Sequence, residues 1–146
     1  MLSSRFNYLR FVMTLSDLQE HYHNLELLEE AELLLNSLRD VKAVSYDQIG
    51  VHESNVIRQT ETRALLVEKQ LQTVNELQSI VDNFNREQLQ PFLDNVYKTA
   101  ALKLWNYLYM RYVAGYHWDE IANFFHDTTD AVKSRCARYL RSHLPK

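Results

Sequence analysis

Glycine and proline are almost absent from this chain, which contains only two of each among 146 residues. Glycine supplies the positive φ angles that tight turns need, and proline interrupts helices, so few points along the chain force regular structure to stop. A β-sheet protein needs many turns, whereas a few long helices need almost none. The hydrophobic content of 46% is sufficient for one or two small cores. The sequence therefore predicts an all-α protein.

Two long helices are predicted in the first two thirds of the chain. Apolar residues recur every three or four positions from Ser4 to Leu38, and again from Asn55 to Asn85. The first stripe consists of Phe11, Leu15, Leu18, Tyr22, Leu25, Leu28, Ala31, Leu35 and Leu38, and the second of Ile57, Thr60, Ala64, Val67, Leu71, Val74, Gln78 and Val81. Between Asp40 and Glu53 the period is lost, and we interpret this segment as a loop that reverses the chain. The pattern predicts an antiparallel two-helix coiled-coil hairpin.

The hairpin carries more apolar residues than a contact between two helices can cover. The surplus residues are Leu33, Leu34, Leu65, Leu66, Leu77, Ile80 and Phe84. Because exposed apolar area of this size is costly in water, we expect a second copy to cover it and the chain to form a homodimer. An acidic cluster that includes Glu26, Glu29, Glu30 and Glu32 is interpreted as a solvated face, with a partner-binding surface as the alternative.

Pro91 marks the predicted domain boundary, because proline ends one helix and suits the first turn of the next. We therefore divide the chain into residues 1–88, the helical hairpin, and residues 89–146, a second domain. From Phe92 to Val113 the pattern predicts one further helix, with Leu104, Leu108 and Tyr112 on one face. The aromatic residues around it resemble a base-stacking surface, although packing in the helical core and at the domain junction is the preferred interpretation.

The end of the chain predicts two short helices separated by a tight turn. Gly115 follows an apolar helical run, where a left-handed C-cap is needed. A short helix is predicted from Trp118 to Phe125, and Thr128 is placed to act as the N-cap of a second helix that spans about 128–143. Together with the preceding helix, this pattern predicts a three-helix helix-turn-helix domain.

The last predicted helix has one apolar and one cationic face. Val132, Cys136 and Leu140, with Tyr139, form the buried stripe, so the only cysteine of the chain is expected to be a packed thiol. Residues 128–146 hold five Lys or Arg and one Asp, whereas the whole chain has a net charge of −3. A cationic outer face on the second helix of a helix-turn-helix is typical of a recognition helix that lies in the major groove of double-stranded DNA.

At this point the sequence resembles known families. Arg111-Tyr112 with Gly115, the run Trp118-Asp119-Glu120-Ile121-Ala122, and the run Ala131-Val132-Lys133-Ser134-Arg135 are similar to the last domain of bacterial sigma factors, region four. They resemble still more closely the C-terminal half of the ArpU-like late transcriptional regulators of phages and prophages. The chain departs from these families at His126 and Asp127, where they carry Gly and an aliphatic residue, and at His117, where they carry Ser or Thr.

The resemblance implies a sequence-specific transcriptional regulator of phage or prophage type, located in the cytoplasm of a bacterial host cell, for which RNA polymerase is a candidate partner. The residues expected to contact base edges are Thr129, Asp130, Lys133 and Ser134; those expected to contact phosphates are Arg135, Arg138, Arg141 and Lys146. The alternative is a protein-interaction module, sigma-like or coiled-coil, that binds RNA polymerase or another protein without reading DNA. A small DNA-packaging adaptor is a third, less favoured interpretation.

No arrangement of residues in the sequence predicts catalysis. His21 and His23 point to different sides of a helix, so they cannot bind one metal ion together. There is no phosphate-binding glycine loop and no nucleophile motif. No apolar stretch is long enough for a membrane span, and no signal peptide is evident at the N-terminus. We therefore expect a non-enzyme without a cofactor, a metal ion, a small-molecule substrate or a membrane partner.

Overall fold

The computed structural model describes residues 13–40 and 53–146 of the chain, and every regular element among them is helical. The all-α prediction is confirmed for these residues. The α-helices are α1 (Leu15–Asp40), α2 (Glu53–Phe84), α3 (Gln90–Thr99), α4 (Leu102–Tyr112), α5 (Trp118–Phe125) and α6 (Thr129–His143), and a π-helical segment, Asn85–Leu89, joins α2 to α3. The predicted reversing loop lies outside the described residues, apart from its two end residues, which are helical.

Helix α1 begins later than the sequence pattern suggested, because a capping box fixes its first turn. The backbone N–H of Thr14 donates to the carboxylate of Asp17 at 3.0 Å, and the N–H of Asp17 donates to the Thr14 hydroxyl oxygen, also at 3.0 Å. Two of the N–H groups at this end are thereby satisfied. Met13 and Thr14 are not helical, so the predicted start at Ser4 is wrong. Residues 4–12, including Phe11 of the predicted stripe, lie outside the described residues.

The predicted break at Pro91 is also wrong, because the backbone remains helical from α2 into α3. Phe84, Leu89 and Gln90 all have right-handed helical φ and ψ angles, and the N–H of Gln90 bonds to the carbonyl of Asn85 in the wider π pattern. Pro91 follows in the first turn of α3. A proline has no N–H to donate, and the π-helical turn before it makes room for its ring. The proline therefore changes the helix type without ending the helix.

The helix predicted from Phe92 to Val113 is instead two helices, and this prediction is corrected. The chain turns at Ala100 and Ala101, which have extended ψ angles of 176° and 138°. Neither alanine is a turn signal, and the apolar residues on both sides would share one stripe on a straight helix. The corner brings the rings of Tyr97 and Trp105 edge to face, with centroids 5.8 Å apart.

The described residues belong to two compact units. The first, called here the core unit, contains the described residues up to Glu26 together with Ile80–Lys146. Its buried core consists of Met13, Leu18, Tyr22, Leu89, Leu93, Val96, Leu104, Tyr107, Leu108, Tyr112, Ile121, Ala122, Val132, Cys136 and Leu140, and Phe84 of α2 packs against it. His21 is buried within the unit, where it stacks on Phe84 and donates from Nε2 to the carbonyl of Tyr112 at 2.8 Å. Burial lowers the pKa of this histidine, which favours the neutral ring.

The second unit, called here the long-helix unit, is Leu27–Ser79. Gln70 donates to the carbonyl of Ala31 at 3.0 Å, and Arg63 donates from Nε to the carbonyl of Leu38 at 2.8 Å. Since residue numbers fall along α2 as they rise along α1, the two segments run antiparallel. Arg63 also reaches the carbonyl of Arg39, at 3.1 Å, so it satisfies carbonyls of the last turn of α1. The domain boundary between residues 88 and 89 stays a prediction about independent folding.

Candidate nucleic-acid interface

The connection from α4 to α5 is a glycine turn. Gly115 has a φ of +80°, as the C-cap prediction required. The N–H of Tyr116 donates to the carbonyl of Met110 at 2.9 Å, and the N–H of Ala114 to the carbonyl of Tyr109 at 3.1 Å, so the last carbonyls of α4 are satisfied. Helix α5 then begins with an extended residue, His117, whose N–H donates to the Glu120 carboxylate at 3.2 Å. Glu120 thus compensates for the missing Ser or Thr cap.

The turn between α5 and α6 is built from His126 and Asp127. His126 adopts the left-handed conformation, with φ 57° and ψ 33°. The N–H of Asp127 donates to the carbonyl of Ala122 at 2.9 Å, which closes the end of α5. Histidine at positive φ is strained, at a cost of about 1 kcal/mol. The next residue, Asp127, makes side-chain contacts with α4.

Asp127, Lys103 and Tyr107 form a polar cluster, called here the Asp127 cluster, that joins this turn to α4. The Asp127 carboxylate accepts hydrogen bonds from the Lys103 ammonium, at 2.8 Å, and from the Tyr107 hydroxyl. These bonds hold the pKa of Asp127 below its usual range, and the bond to Asp127 raises the pKa of Lys103. This cluster was not predicted, because a turn residue and α4 residues 20 or more positions earlier share no sequence pattern.

Helix α6 is capped and packed as predicted. The Thr128 hydroxyl accepts a hydrogen bond from the N–H of Ala131 at 3.2 Å. Val132, Cys136 and Leu140 are buried, and Tyr139 is half-buried. Burial raises the pKa of the Cys136 thiol to about 12, so the protonated, packed thiol is favoured at neutral pH.

All eight candidate DNA contacts are exposed on or beside α6: Thr129, Asp130, Lys133, Ser134, Arg135, Arg138, Arg141 and Lys146. They do not form one patch. At about 100° per residue, Lys133 and Arg135 lie on opposite flanks of the helix. Ser134, Arg138 and Arg141 lie between the flanks, opposite the buried stripe. The charge of Arg135 also contributes to lowering the pKa of Asp127, so the flank that carries Arg135 lies near the turn between α5 and α6.

A cleft of about 690 Å³ runs along the other flank of α6. Lys133, Ser134, Ala137, Arg138 and Arg141 form one wall, and Leu15, Leu18 and Gln19 from the start of α1 form the other. The remaining lining residues are Arg111, Tyr112, Trp118 and Leu140. The N–H of Leu15 donates to the carbonyl of Pro145 at 2.8 Å, which fixes the start of α1 to the segment after α6. The sequence did not predict this wall, since the start of α1 is more than 100 residues from α6.

Arg111 fixes the floor of the cleft. Its guanidinium lies over the ring of Tyr22, 3.4 Å from the centroid, and over that of Trp118, 4.6 Å from the centroid. One of its terminal nitrogens donates to the carbonyl of Tyr116 at 3.3 Å. The Tyr22 hydroxyl is hydrogen-bonded to Nδ1 of His117 at 3.2 Å. Since cation–π contacts favour a cation over an aromatic face, Arg111 holds α1, α4 and α5 in register.

A second exposed feature, called here the aromatic corner, consists of Tyr97, Leu102, Trp105 and Tyr109. Tyr97 and Leu102 are 61% and 58% exposed, and the ring of Trp105 stacks on that of Tyr109 with centroids 5.1 Å apart. The core-packing prediction is confirmed for Tyr107 and Tyr112, which are buried, and in part for Trp105, which packs against the core, whereas Tyr109 is 40% exposed. Helix α4 is therefore apolar on two sides, of which the core covers one.

Within residues 13–40 and 53–146, no cluster of three or more His, Cys, Asp or Glu is arranged to hold a metal ion. Nor does any helix in this part of the chain combine the length and the apolar character needed to cross a membrane. Comparison of the chain with protein-family models, with curated proteins and with solved structures finds no match.

Proposed function

We propose that the chain is a sequence-specific DNA-binding transcriptional regulator of phage or prophage type. In this proposal α4, α5 and α6 are a three-helix helix-turn-helix domain and α6 is the recognition helix. The observation that carries the proposal is the division of α6 into two faces. Three of its residues are fully or almost fully buried, whereas Lys133, Arg135, Arg138 and Arg141 all project into solvent. A helix held by its apolar face and free on its cationic face can enter a major groove.

The position of each side chain along α6 suggests its role. Thr129, Asp130, Lys133 and Ser134 belong to the first half of the helix, which in this docking mode meets base edges. Arg138 and Arg141 lie further along the exposed side and would contact phosphates, as would Lys146. Arg135, on the flank next to the Asp127 turn, would bind the phosphate backbone on the other side of the groove.

Two features support precise presentation of the helix. The Asp127 cluster fixes the turn before α6, and Arg111 fixes α5 against α1 and α4. Groups that read base edges must be held within about 0.5 Å of their productive positions, and rigid supporting contacts provide this. The helix would thus meet the duplex without reorganising the domain.

The long-helix unit would supply dimerisation as an antiparallel coiled-coil hairpin. The hydrogen bonds between Gln70 and Ala31 and between Arg63 and Leu38 fix the axial register of α1 and α2. With the helix period, they place Leu34 and Leu66, 51% and 46% exposed, on the same side of the pair. A second copy would cover this side. A homodimer then presents two α6 helices to a site with two half-sites.

The salt dependence of DNA binding tests the proposal. If four cations per subunit neutralise phosphates, the logarithm of the affinity of the dimer should fall against the logarithm of the salt concentration with a slope of about −7. A cognate site selected from random DNA would provide the substrate. A slope near zero would exclude α6 as the DNA-binding surface.

Two substitutions then distinguish base reading from phosphate binding. Arg141→Ala should weaken cognate and random DNA about equally, because a phosphate contact carries no sequence information. Lys133→Ala should cost roughly 1 to 3 kcal/mol more on cognate than on random DNA. Equal losses on both kinds of DNA for both variants would argue against base reading by Lys133.

A second function is favoured by the aromatic corner. Tyr and Trp side chains grouped in one partly exposed patch are typical of the central contacts of protein interfaces. In this alternative the chain is an interaction module that contacts RNA polymerase or another protein and does not read DNA. Absence of binding to both heparin and random DNA at low salt would favour this alternative. In either case we propose a non-enzyme without a cofactor or a small-molecule substrate, which acts in the cytoplasm of a bacterial host.

A further inference from the structure

We infer that the cleft between α1 and α6 is a binding site for a small amphipathic anion. Such a molecule has an aromatic or aliphatic body and one carboxylate, sulfonate or phosphate group. The inference rests on the lining of the cleft and does not depend on DNA binding. Its regulatory consequence, stated below, does rest on the proposed function.

The inner surface of the cleft suits an apolar body. Leu18, Tyr112 and Leu140 are 1%, 8% and 5% exposed, and all three line the cleft. Trp118 and Leu15 are only partly buried there. The Trp118 ring meets Tyr112 edge to face, with centroids 6.4 Å apart, and contacts the Arg111 guanidinium, so its orientation is fixed. A ligand that covers Leu15 and Trp118 removes apolar area from water without a change in the fold.

The cations around the cleft suit an acidic group. Arg111, Lys133, Arg138 and Arg141 line it, with the Ser134 hydroxyl and the Gln19 amide as further donors. Among the described residues that line the cleft, none is Asp or Glu. An anion would therefore meet four cations without an opposing carboxylate. Charge-assisted hydrogen bonds from such groups are about twice as strong as neutral ones.

The size of the cleft favours a small molecule over a macromolecule. A volume of about 690 Å³ is within the range of small-molecule sites, which is roughly 300 to 1,000 Å³. A DNA backbone would satisfy the cations but would leave Leu15 and Trp118 uncovered, because phosphodiesters have no apolar body. Both requirements are met by one compact molecule with an acidic end.

Occupation of the cleft would interfere with the proposed recognition helix. Lys133, Ser134, Arg138 and Arg141 line the cleft and are also the proposed DNA contacts. A ligand bound to these groups and a duplex on α6 cannot both use them. The ligand would thus release the protein from DNA, and DNA would lower the affinity for the ligand by the same factor.

Fluorescence titration of the full chain with 8-anilinonaphthalene-1-sulfonate tests the site. The matched variants are Arg141→Ala, which removes a cation that lines the cleft, and Arg135→Ala, which removes a cation from the opposite flank of α6. We expect one saturable site whose dissociation constant rises about tenfold in Arg141→Ala and less than about twofold in Arg135→Ala. N-phenyl-1-naphthylamine, which lacks the sulfonate, should bind both variants equally.

The inference is overturned if the two variants weaken the probe equally, or if neither changes its binding. The first result indicates nonspecific attraction to a cationic helix, and the second indicates binding to other apolar surface. Ala137→Glu provides an independent check, because it adds a carboxylate to the wall of the cleft and should weaken the probe more than Arg141→Ala does. Slow reaction of Cys136 with a thiol reagent, unchanged in every variant, verifies that the fold is intact.

A competition experiment between the probe and duplex DNA distinguishes failure of this inference from failure of the proposed function. Random duplex DNA bound at low salt should be released in proportion to probe occupancy. If the duplex remains bound at saturating probe, the regulatory consequence is overturned. If the chain binds no DNA at all while the Arg141 and Arg135 variants differ as expected, the proposed function fails and the ligand site is supported.

Discussion

More of the described leucines are buried in the core unit than in the long-helix unit. Leu89, Leu93 and Leu108 of the core unit are almost fully buried, with at most 2% exposure. In the long-helix unit, Leu33 and Leu65 are 60% and 53% exposed. Among the residues of that unit whose burial the structure describes, the buried ones are Leu28, Ala31 and Leu35 of α1. Along α2, no residue from 57 to 79 is buried.

The difference depends on how many helices surround each leucine. In the core unit several helices meet, so every side of the core is covered. In the long-helix unit two helices run antiparallel, and each can cover only one side of the other. The contacts that pair them include side chains bonded to backbone carbonyls, from Gln70 and Arg63. The core unit thus has a complete core, whereas the long-helix unit has apolar surface that association would cover.

The largest effect expected from this comparison is on stability. Leu108→Ala removes a completely buried side chain and should cost about 2 to 5 kcal/mol, because it leaves a cavity. Leu66→Ala, at a residue that is 46% exposed, should cost less than about 1 kcal/mol at protein concentrations where the chain is monomeric. Urea denaturation of both variants measures the difference. Similar costs would show that the two units are packed alike.

The next effect is on association. Leu66→Lys places a charge on the side that also carries Leu34, so it should weaken the dimer at least tenfold, or about 1.4 kcal/mol. Leu65→Lys is the matched control, because it has similar exposure but points about 100° away around α2. Sedimentation equilibrium gives both dissociation constants. If the two variants dissociate alike, the second copy does not cover the Leu34 and Leu66 side.

A smaller pair of effects concerns the two left-handed residues of the core unit. Gly115→Ala should cost about 1 kcal/mol through backbone strain, since a new Cβ would be 3.9 Å from the nearest atom, an ordinary contact. His126→Gly should have the opposite sign and stabilise by up to about 1 kcal/mol, because φ is 57° there. Thermal unfolding of both variants is the measurement. A stabilising Gly115→Ala would show that strain is not decisive in these turns.

The smallest effect is a dependence of stability on pH. The pKa of Asp127 is lowered in the folded state by Lys103 and Tyr107, so the ionised carboxylate stabilises the fold above its unfolded pKa. This contribution is lost as the pH falls through the lowered folded pKa. Asp127→Asn should therefore be less stable than the natural chain at pH 7, and the difference should shrink towards about pH 3. A difference that is independent of pH would mean that the carboxylate charge plays no part in the turn.

Much of the fold could be predicted from local signals. The buried stripe of α6, the cap at Thr128 and the left-handed Gly115 depend on residues close in sequence, and the structure has all three. The start of α1 was predicted wrongly, although Thr14 and Asp17 carry a capping-box signal. The reason is that the apolar period continues on the N-terminal side of Thr14 and so does not mark the start of the helix. The Ala100 corner could not have been predicted, since neither the composition nor the period changes there.

The candidate site divides in the same way. The exposure of Lys133, Ser134 and Arg138 follows from the helix period and could be predicted. The α1 wall of the cleft, the Arg111 contacts with Tyr22 and the Asp127 cluster could not, because each joins residues that are far apart in the chain. Sequence patterns report periodicity along one element, and such contacts depend on how elements meet.

The sequence by itself determined that this protein is helical, where its last helices begin, and which side of α6 is cationic. These properties depend on hydrogen bonds and side-chain periods within a few residues. Only the tertiary structure decided that α1 packs beside α6, that α3 and α4 meet at a corner, and which leucines stay exposed. Those outcomes depend on how much apolar area each arrangement of helices removes from water. This area cannot be derived from any one helix alone.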